Sequence, residues 1–240
     1  MAEYDEFLSE NLGLDDQNIW DIEFSNTGRR IRGTEGYKLS TEWARLLDRD
    51  DLIKHPAAEE FRSLISNVSH VNSSILCFRV RGVTGKSPSS CEMGPPPIDC
   101  KTIGGRYNNP GEHVLYLSDS EDGLIREFKA QKMKGYPYIQ RYNLPVDKLC
   151  IADFNKIPQD HFVCHVFSKA EECNVKGRGI PGYNFSQIVS EIVKVNFDGM
   201  RVPGVNGKIG QHYSNVIVFR PFPGWCNWLD SGFTPYRYHQ

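Results

Sequence analysis

The chain has 240 residues, of which 39% are hydrophobic and 24% charged, and its formal charge is −2. A chain of this length can bury a full core, as one large domain or one domain with an appended piece. The balance offers no basic field for a nucleic-acid backbone and no apolar run approaches a membrane span, so neither nucleic acid nor membrane is an expected partner.

Seven cysteines stand at 77, 91, 100, 150, 164, 173 and 226. No CxxC pair occurs, and a disulfide framework would leave one thiol over, so reduced cysteines in a cytoplasmic protein are the expectation. The acidic N-terminus, MAEYDEFLSENLGLDD, lacks the apolar region of a secretory signal. His161 and His165 are spaced i, i+4, but no carboxylate motif goes with them. With His212 they show no metal-ligand spacing, and no metal site is expected.

Residues 1–70 read as a helical N-terminal region. Leu8, Leu12 and Ile19-Trp20 are short anchors on an acidic arm. Ser40 or Thr41 can cap a helix carrying Trp43, Leu46 and Leu47. Pro56 suits the first turn of a second helix, whose Phe61, Leu64, Ile65 and Val68 share one face. The remaining unit, 71–240, opens with a strand over 75–81. Phe78 and Val80 fall on one face of it, Cys77, Arg79 and Arg81 on the other. Residues 82–103 read as a long loop rich in glycine and proline, a lid or a disordered stretch.

The stretch 104–128, GGRYNNPGEHVLYLSDSEDGLIREF, is the densest in signals. Gly104-Gly105 allows positive φ or close approach to a ligand. Asn108-Asn109-Pro110-Gly111 is a turn. Residues 114–117 form a short strand. Ser118, Asp119 and Ser120 are helix caps, with Glu121 and Asp122 at the positive end of the helix dipole. Leu124, Ile125 and Phe128 make one helix face, and Glu127 lies at its edge.

Strands follow at 138–144 and 148–153. Residues 155–183 read as polar and turn-rich, with a loop tip at 177–182. Asn184 caps a helix bearing Phe185, Ile188, Val189 and Ile192. Residues 215–219 are the most β-branched run and should form a central strand. The tail carries Phe222, Trp225, Trp228, Phe233, Tyr236 and Tyr238 and is expected to pack across the sheet. The expected class is α+β with a mixed or mainly antiparallel sheet.

Several polar residues have two readings. Arg106, beside a glycine turn, is either a clamp for phosphate or carboxylate or a surface ion pair. Tyr116 is either a core tyrosine or a platform for a planar ring. Glu127 is either a solvated helix residue or a carboxylate that holds a ribose hydroxyl. Ser214 is either a strand-start polar residue or a ligand-facing hydroxyl.

Taken together, Phe78-Arg79-Val80 on a strand, Gly-Gly-Arg-Tyr-Asn-x-x-Gly at 104–111, Val114-Leu115-Tyr116-Leu117-Ser118 and then Glu127 resemble the RES family. These are small toxins named for an arginine, a glutamate and a serine. The resemblance runs over residues 75–221 and includes 198–203 leading into 215–219. It implies a fold similar to ADP-ribosyltransferase toxins, and an activity that degrades NAD or transfers ADP-ribose. It makes 71–240 the catalytic domain, NAD the substrate with no further cofactor, and an antitoxin or regulatory protein the partner. Carried over by position, Arg79 and Arg106 bind NAD, and Tyr107 and Asn108 join them as binding residues. Tyr116 contacts the nicotinamide end, and Glu127 is the catalytic carboxylate. In the family a Pro-Ser pair follows the 198–203 strand, but here Pro203 precedes Gly204. Either Ser214 serves instead, or the chain lacks that hydroxyl.

The chemistry agrees with one carboxylate. The nicotinamide–ribose bond breaks through a cation-like transition state, much as a glycosidic bond does. The leaving pyridinium departs neutral, so no general acid is needed, and one glutamate near the ribose can stabilise the developing charge. Three readings compete: NAD glycohydrolase or phosphorylase, a protein ADP-ribosyltransferase with 82–103 as acceptor loop, and a non-catalytic nucleotide-binding module.

Overall fold

A computed structural model describes residues 34–130, 132–145, 147–157, 161–172, 182–204, 213–221, 224–230 and 234–238. The acidic arm, His212, Phe222, Phe233 and most of the expected loop tip at 177–182 lie outside them. Among the described residues the architecture is α+β, a seven-stranded mixed sheet with six helices.

Among the described residues, three helices precede the sheet. α1 (Glu35–Ala44) starts earlier than expected, because Thr34 caps it: its hydroxyl accepts from Tyr37 N at 3.3 Å. Ser40 and Thr41 lie inside the helix, and both hydroxyls donate back to the Tyr37 carbonyl. A short α2 (Arg49–Lys54) follows, capped by the Asp48 carboxylate, and was not expected. α3 (Pro56–Ile65) begins at Pro56, whose missing N–H costs nothing in a first turn.

The strands are β1 (Ile75–Val83), β2 (Leu115–Ser118), β3 (Tyr136–Leu144), β4 (Ile151–Asp153), β5 (Gly199–Pro203), β6 (Ser214–Val218) and β7 (Tyr236–Arg237). Their order in the sheet is β4-β5-β6-β2-β1-β3-β7, and only β4 and β5 run parallel. β6 is central, as its β-branched run requires. β3 starts at Tyr136, two residues before the expected 138, and so takes in Pro137. Its carbonyl still accepts from Tyr238 N at 2.9 Å.

Three further helices complete the fold: α4 (Glu121–Ala130), α5 (Phe162–Glu172) and α6 (Asn184–Lys194). α5 replaces much of the turn-rich region expected at 155–183. Phe162, Val163, Val166, Phe167 and Ala170 form its buried stripe, and they outweigh the polar residues between them.

Cross-strand pairs fix which side chains share a face. Phe78, Tyr116, Asn215, Ile217, Met200 and Val202 face one way; Cys77, Arg79, Leu115, Leu117, Ser214, Val216 and Val218 face the other. On the first face the sheet meets α1, α3, α5 and α6. Trp43, Phe61, Phe167 and Phe185 build a common core there with Met200, Val202 and Ile217. The N-terminal helices therefore share a core with the sheet. On the second face Cys77, Leu117, Tyr142 and Val218 pack with Trp225 and Trp228 of the tail. Within the long 84–103 loop, a single 3-10 turn (Cys91–Met93) buries Met93, whose carbonyl accepts from the Tyr142 hydroxyl at 3.1 Å.

Candidate active site

The sheet has a seam. β1 pairs with β3 at every residue from Ile75 to Val83, yet with β2 only at Phe78↔Ser118. Arg79 lies beside this seam. Its Nη1 donates to the Tyr116 carbonyl at 3.4 Å, a long bond, and its Nε is buried without a hydrogen-bond partner among the described residues. Burial, with the like charge of Arg81 adding to it, lowers this guanidinium to about 10. It stays cationic at neutral pH, and most of its five donors are not used by the bond described.

Tyr116 links the seam to the glycine turn. Its carbonyl meets Arg79 and its ring lies on the helix-covered face. The hydroxyl donates to Asn108 Oδ1 at 2.8 Å and accepts from Tyr107 N at 3.0 Å. Gly104 has φ +81°, and a Cβ on it would come within 3.0 Å of the Asn108 carbonyl, so this tight turn needs glycine there. Asn108 is engaged within the turn: Nδ2 donates to the Asn109 and Glu112 carbonyls, each at 3.2 Å. Tyr107 is a buried core residue. Tyr107 and Asn108 thus hold the turn from within, and Arg106 is presented between Gly105 and Tyr107.

One stripe of α6 grips this turn from behind. Gln187 Nε2 donates to the carbonyls of Gly105 and Asn108 at 3.0 and 3.1 Å. One turn on, Glu191 accepts from Asn109 Nδ2 at 2.5 Å and pairs with Arg49. Lys194 then pairs with Glu112 at 2.5 Å. Burial pushes the Glu112 carboxyl up, but Lys194 and the Asn109 N–H outweigh it and the net shift is downward. Gln187 had a visible signal: it is a polar residue inside the apolar stripe of Phe185, Ile188 and Val189. An open pocket of about 630 Å³ adjoins this grip, lined by Arg49, Asn109, Tyr183 and Gln187. Neither Arg79 nor Glu127 borders it.

Glu127 is on α4, whose first turn is tied to the tail. Tyr236 donates to Glu121 at 2.6 Å and Tyr238 to Asp122 at 3.3 Å. The Glu127 side chain is partly buried, and Oε1 accepts two bonds, from the Tyr213 hydroxyl at 2.9 Å and from Asn215 Nδ2 at 2.7 Å. Asn215 is opposite Ser118, so it is the diagonal neighbour of Tyr116 on the same face, about 7–8 Å away. Glu127 and Tyr116 are thereby brought to one side of the sheet.

Ser214 is not brought to this group. Strand alternation turns it to the opposite face from Asn215, and its hydroxyl accepts from Asn155 Nδ2 at 2.7 Å. It belongs to a separate polar cluster. There Asp119 accepts from Ser214 N at 2.6 Å and from Arg201 Nη2 at 2.7 Å. The residues that do reach Glu127 are those on either side of Ser214.

No family model matches the chain, and no curated protein does. Among solved structures it is similar to a chain of the M. tuberculosis MbcT–MbcA toxin–antitoxin complex. The two share 15% identity over 76% of this chain and 93% of that one, with a TM-score of 0.49.

Proposed function

We propose that the protein is a toxin-like enzyme of RES type that cleaves the nicotinamide–ribose bond of NAD. The observation that carries this is the Glu127 carboxylate, held through Oε1 by Tyr213 and Asn215 on the face that also carries Tyr116. Both bonds described fall on one oxygen, which leaves Oε2 to face a ribosyl carbon. Arg79 supplies a cation with unused donors at the seam, suited to a pyrophosphate, and Arg106 supplies the second from the turn. Tyr116 offers its ring to the nicotinamide end.

In the step itself the C–N bond breaks and its electron pair passes to the nicotinamide nitrogen, which becomes neutral. Positive charge grows on the ribose carbon and its ring oxygen, and Glu127 stabilises it. Water then adds to the carbon and loses a proton, giving ADP-ribose; phosphate in its place would give the phosphorolysis product. A protein acceptor is the second reading. It is favoured by Ile98 and Ile103, 78% and 94% exposed on the 84–103 loop, where an acceptor surface could dock. An antitoxin or regulatory protein is the partner that the family resemblance implies.

Purified protein incubated with NAD should release free nicotinamide. Label from the adenine half should appear in a soluble product under the first reading and on protein under the second. No nicotinamide release would leave a non-catalytic nucleotide-binding module.

A further inference from the structure

We infer that Tyr213 is the positioning residue of the Glu127 carboxylate, and that Gly123 and Gly204 form the slot that holds its ring. The inference rests on Glu127 being the working carboxylate. Tyr213 and Gly204 lie outside the motif-bearing stretch 104–128.

Tyr213 stands just before β6, with 4% of its surface exposed. Its ring is pressed between two glycine backbones from different elements. A Cβ built on Gly123, in the first turn of α4, would lie 2.4 Å from the ring's Cγ. A Cβ on Gly204, just after β5, would lie 2.0 Å from Cε2 and 2.3 Å from Cζ. Neither approach is possible for a real side chain, and the obstacle is a ring that cannot bend aside. Gly204 N also donates to the Tyr213 carbonyl at 2.8 Å, which fixes the backbone of one against the other.

Such a slot serves more than filling. A tyrosine has only two side-chain torsions, and a ring held this closely against two backbones has little freedom in either, so its hydroxyl reaches one place. That place is Glu127 Oε1, at 2.9 Å. Asn215, two residues along the same strand face, supplies the second donor to the same oxygen at 2.7 Å. Two donors on one oxygen set the direction of the other before any ligand arrives, and preorganisation of this kind is what a charge-stabilising group requires. Cζ, which bears the hydroxyl, is the second-nearest ring carbon to a Gly204 Cβ, at 2.3 Å. A side chain at 204 and the Tyr213 ring in this position therefore exclude each other.

The test is a cycle of three variants assayed with NAD. Tyr213→Phe keeps the ring and removes the bond, so kcat should fall about tenfold with KM for NAD unchanged and the melting temperature retained. Gly204→Ala should displace the ring and lose at least as much. The double variant should be no worse than Gly204→Ala alone, since the hydroxyl has already left the carboxylate. Should Gly204→Ala not fold, Tyr213→Phe decides alone. Wild-type kcat in Tyr213→Phe, or additive losses in the cycle, would overturn the inference. A second readout works without turnover: the 13C resonance of the Glu127 carboxyl should move in Tyr213→Phe. If wild-type protein releases no nicotinamide, the enzymatic reading fails, while an unmoved resonance would be needed to show that Tyr213 does not position Glu127.

Discussion

The two edges of β1 behave differently. Toward β3 the register is unbroken from Ile75↔Leu144 to Val83↔Tyr136; toward β2 it consists of Phe78↔Ser118 alone. The closed edge is well buried, with Ile139, Tyr142 and Leu144 all 0% exposed and Gln140 buried opposite Arg79. At the open edge, polar side chains take over. Arg79 reaches the Tyr116 carbonyl across the seam, and the Tyr116 hydroxyl holds the glycine turn. A backbone ladder satisfies its own donors and acceptors; where it stops, side chains must satisfy them, and they are then available to a ligand. Under the proposed function, stability and chemistry fall to opposite edges of one strand.

Substitutions should separate the two edges. The largest effect is expected on the open side: Glu127→Gln should reduce NAD cleavage by about 10²–10³-fold. Folding should survive, because the amide oxygen can still accept from Tyr213 and Asn215; circular dichroism and a melting curve would check this. On the closed side, Ile139→Ala should cost about 2–5 kcal/mol of stability in urea titration, with turnover per folded molecule unchanged. Loss of turnover ahead of unfolding would break the division. Arg79→Lys should weaken NAD binding about tenfold by calorimetry, since a point charge cannot span the seam and offer a fork. Ser214→Ala should have the smallest effect, about 1 kcal/mol of stability for the lost Asn155 bond, and no change in nicotinamide release. A slowed Ser214→Ala enzyme would mean that the Asn155, Ser214 and Asp119 cluster takes part in the chemistry.

Local signals were the legible ones. Asn-Pro-Gly, the caps before α4 and the stripe of Leu124, Ile125 and Phe128 are all written within a few residues of each other, and the turn, strand and helix lie where those signals put them. α5 was hidden because its buried face includes His165 and Lys169, both 4% exposed, which dilute the apolar period. The start of α1 was displaced by the weight of Leu46 and Leu47 after it, although Leu47 is 67% exposed and outside the helix. At β6 one residue decided everything. A period of two sends Asn215 to Glu127 and Ser214 to the other face, and the sequence around them does not say which face Glu127 will approach. Gly204 reads in sequence as a missing hydroxyl. Only the packed fold shows that its bare backbone makes room for Tyr213.

The account's central claim is that Glu127 and the β1–β2 seam act on one ligand. A crystal structure with a non-cleavable NAD analogue would test it most directly. The account predicts the nicotinamide ribose against Glu127 Oε2, the nicotinamide on Tyr116 and the pyrophosphate at Arg79 and Arg106. An analogue bound in the pocket between Arg49 and Tyr183, with the seam and Glu127 untouched, would contradict it.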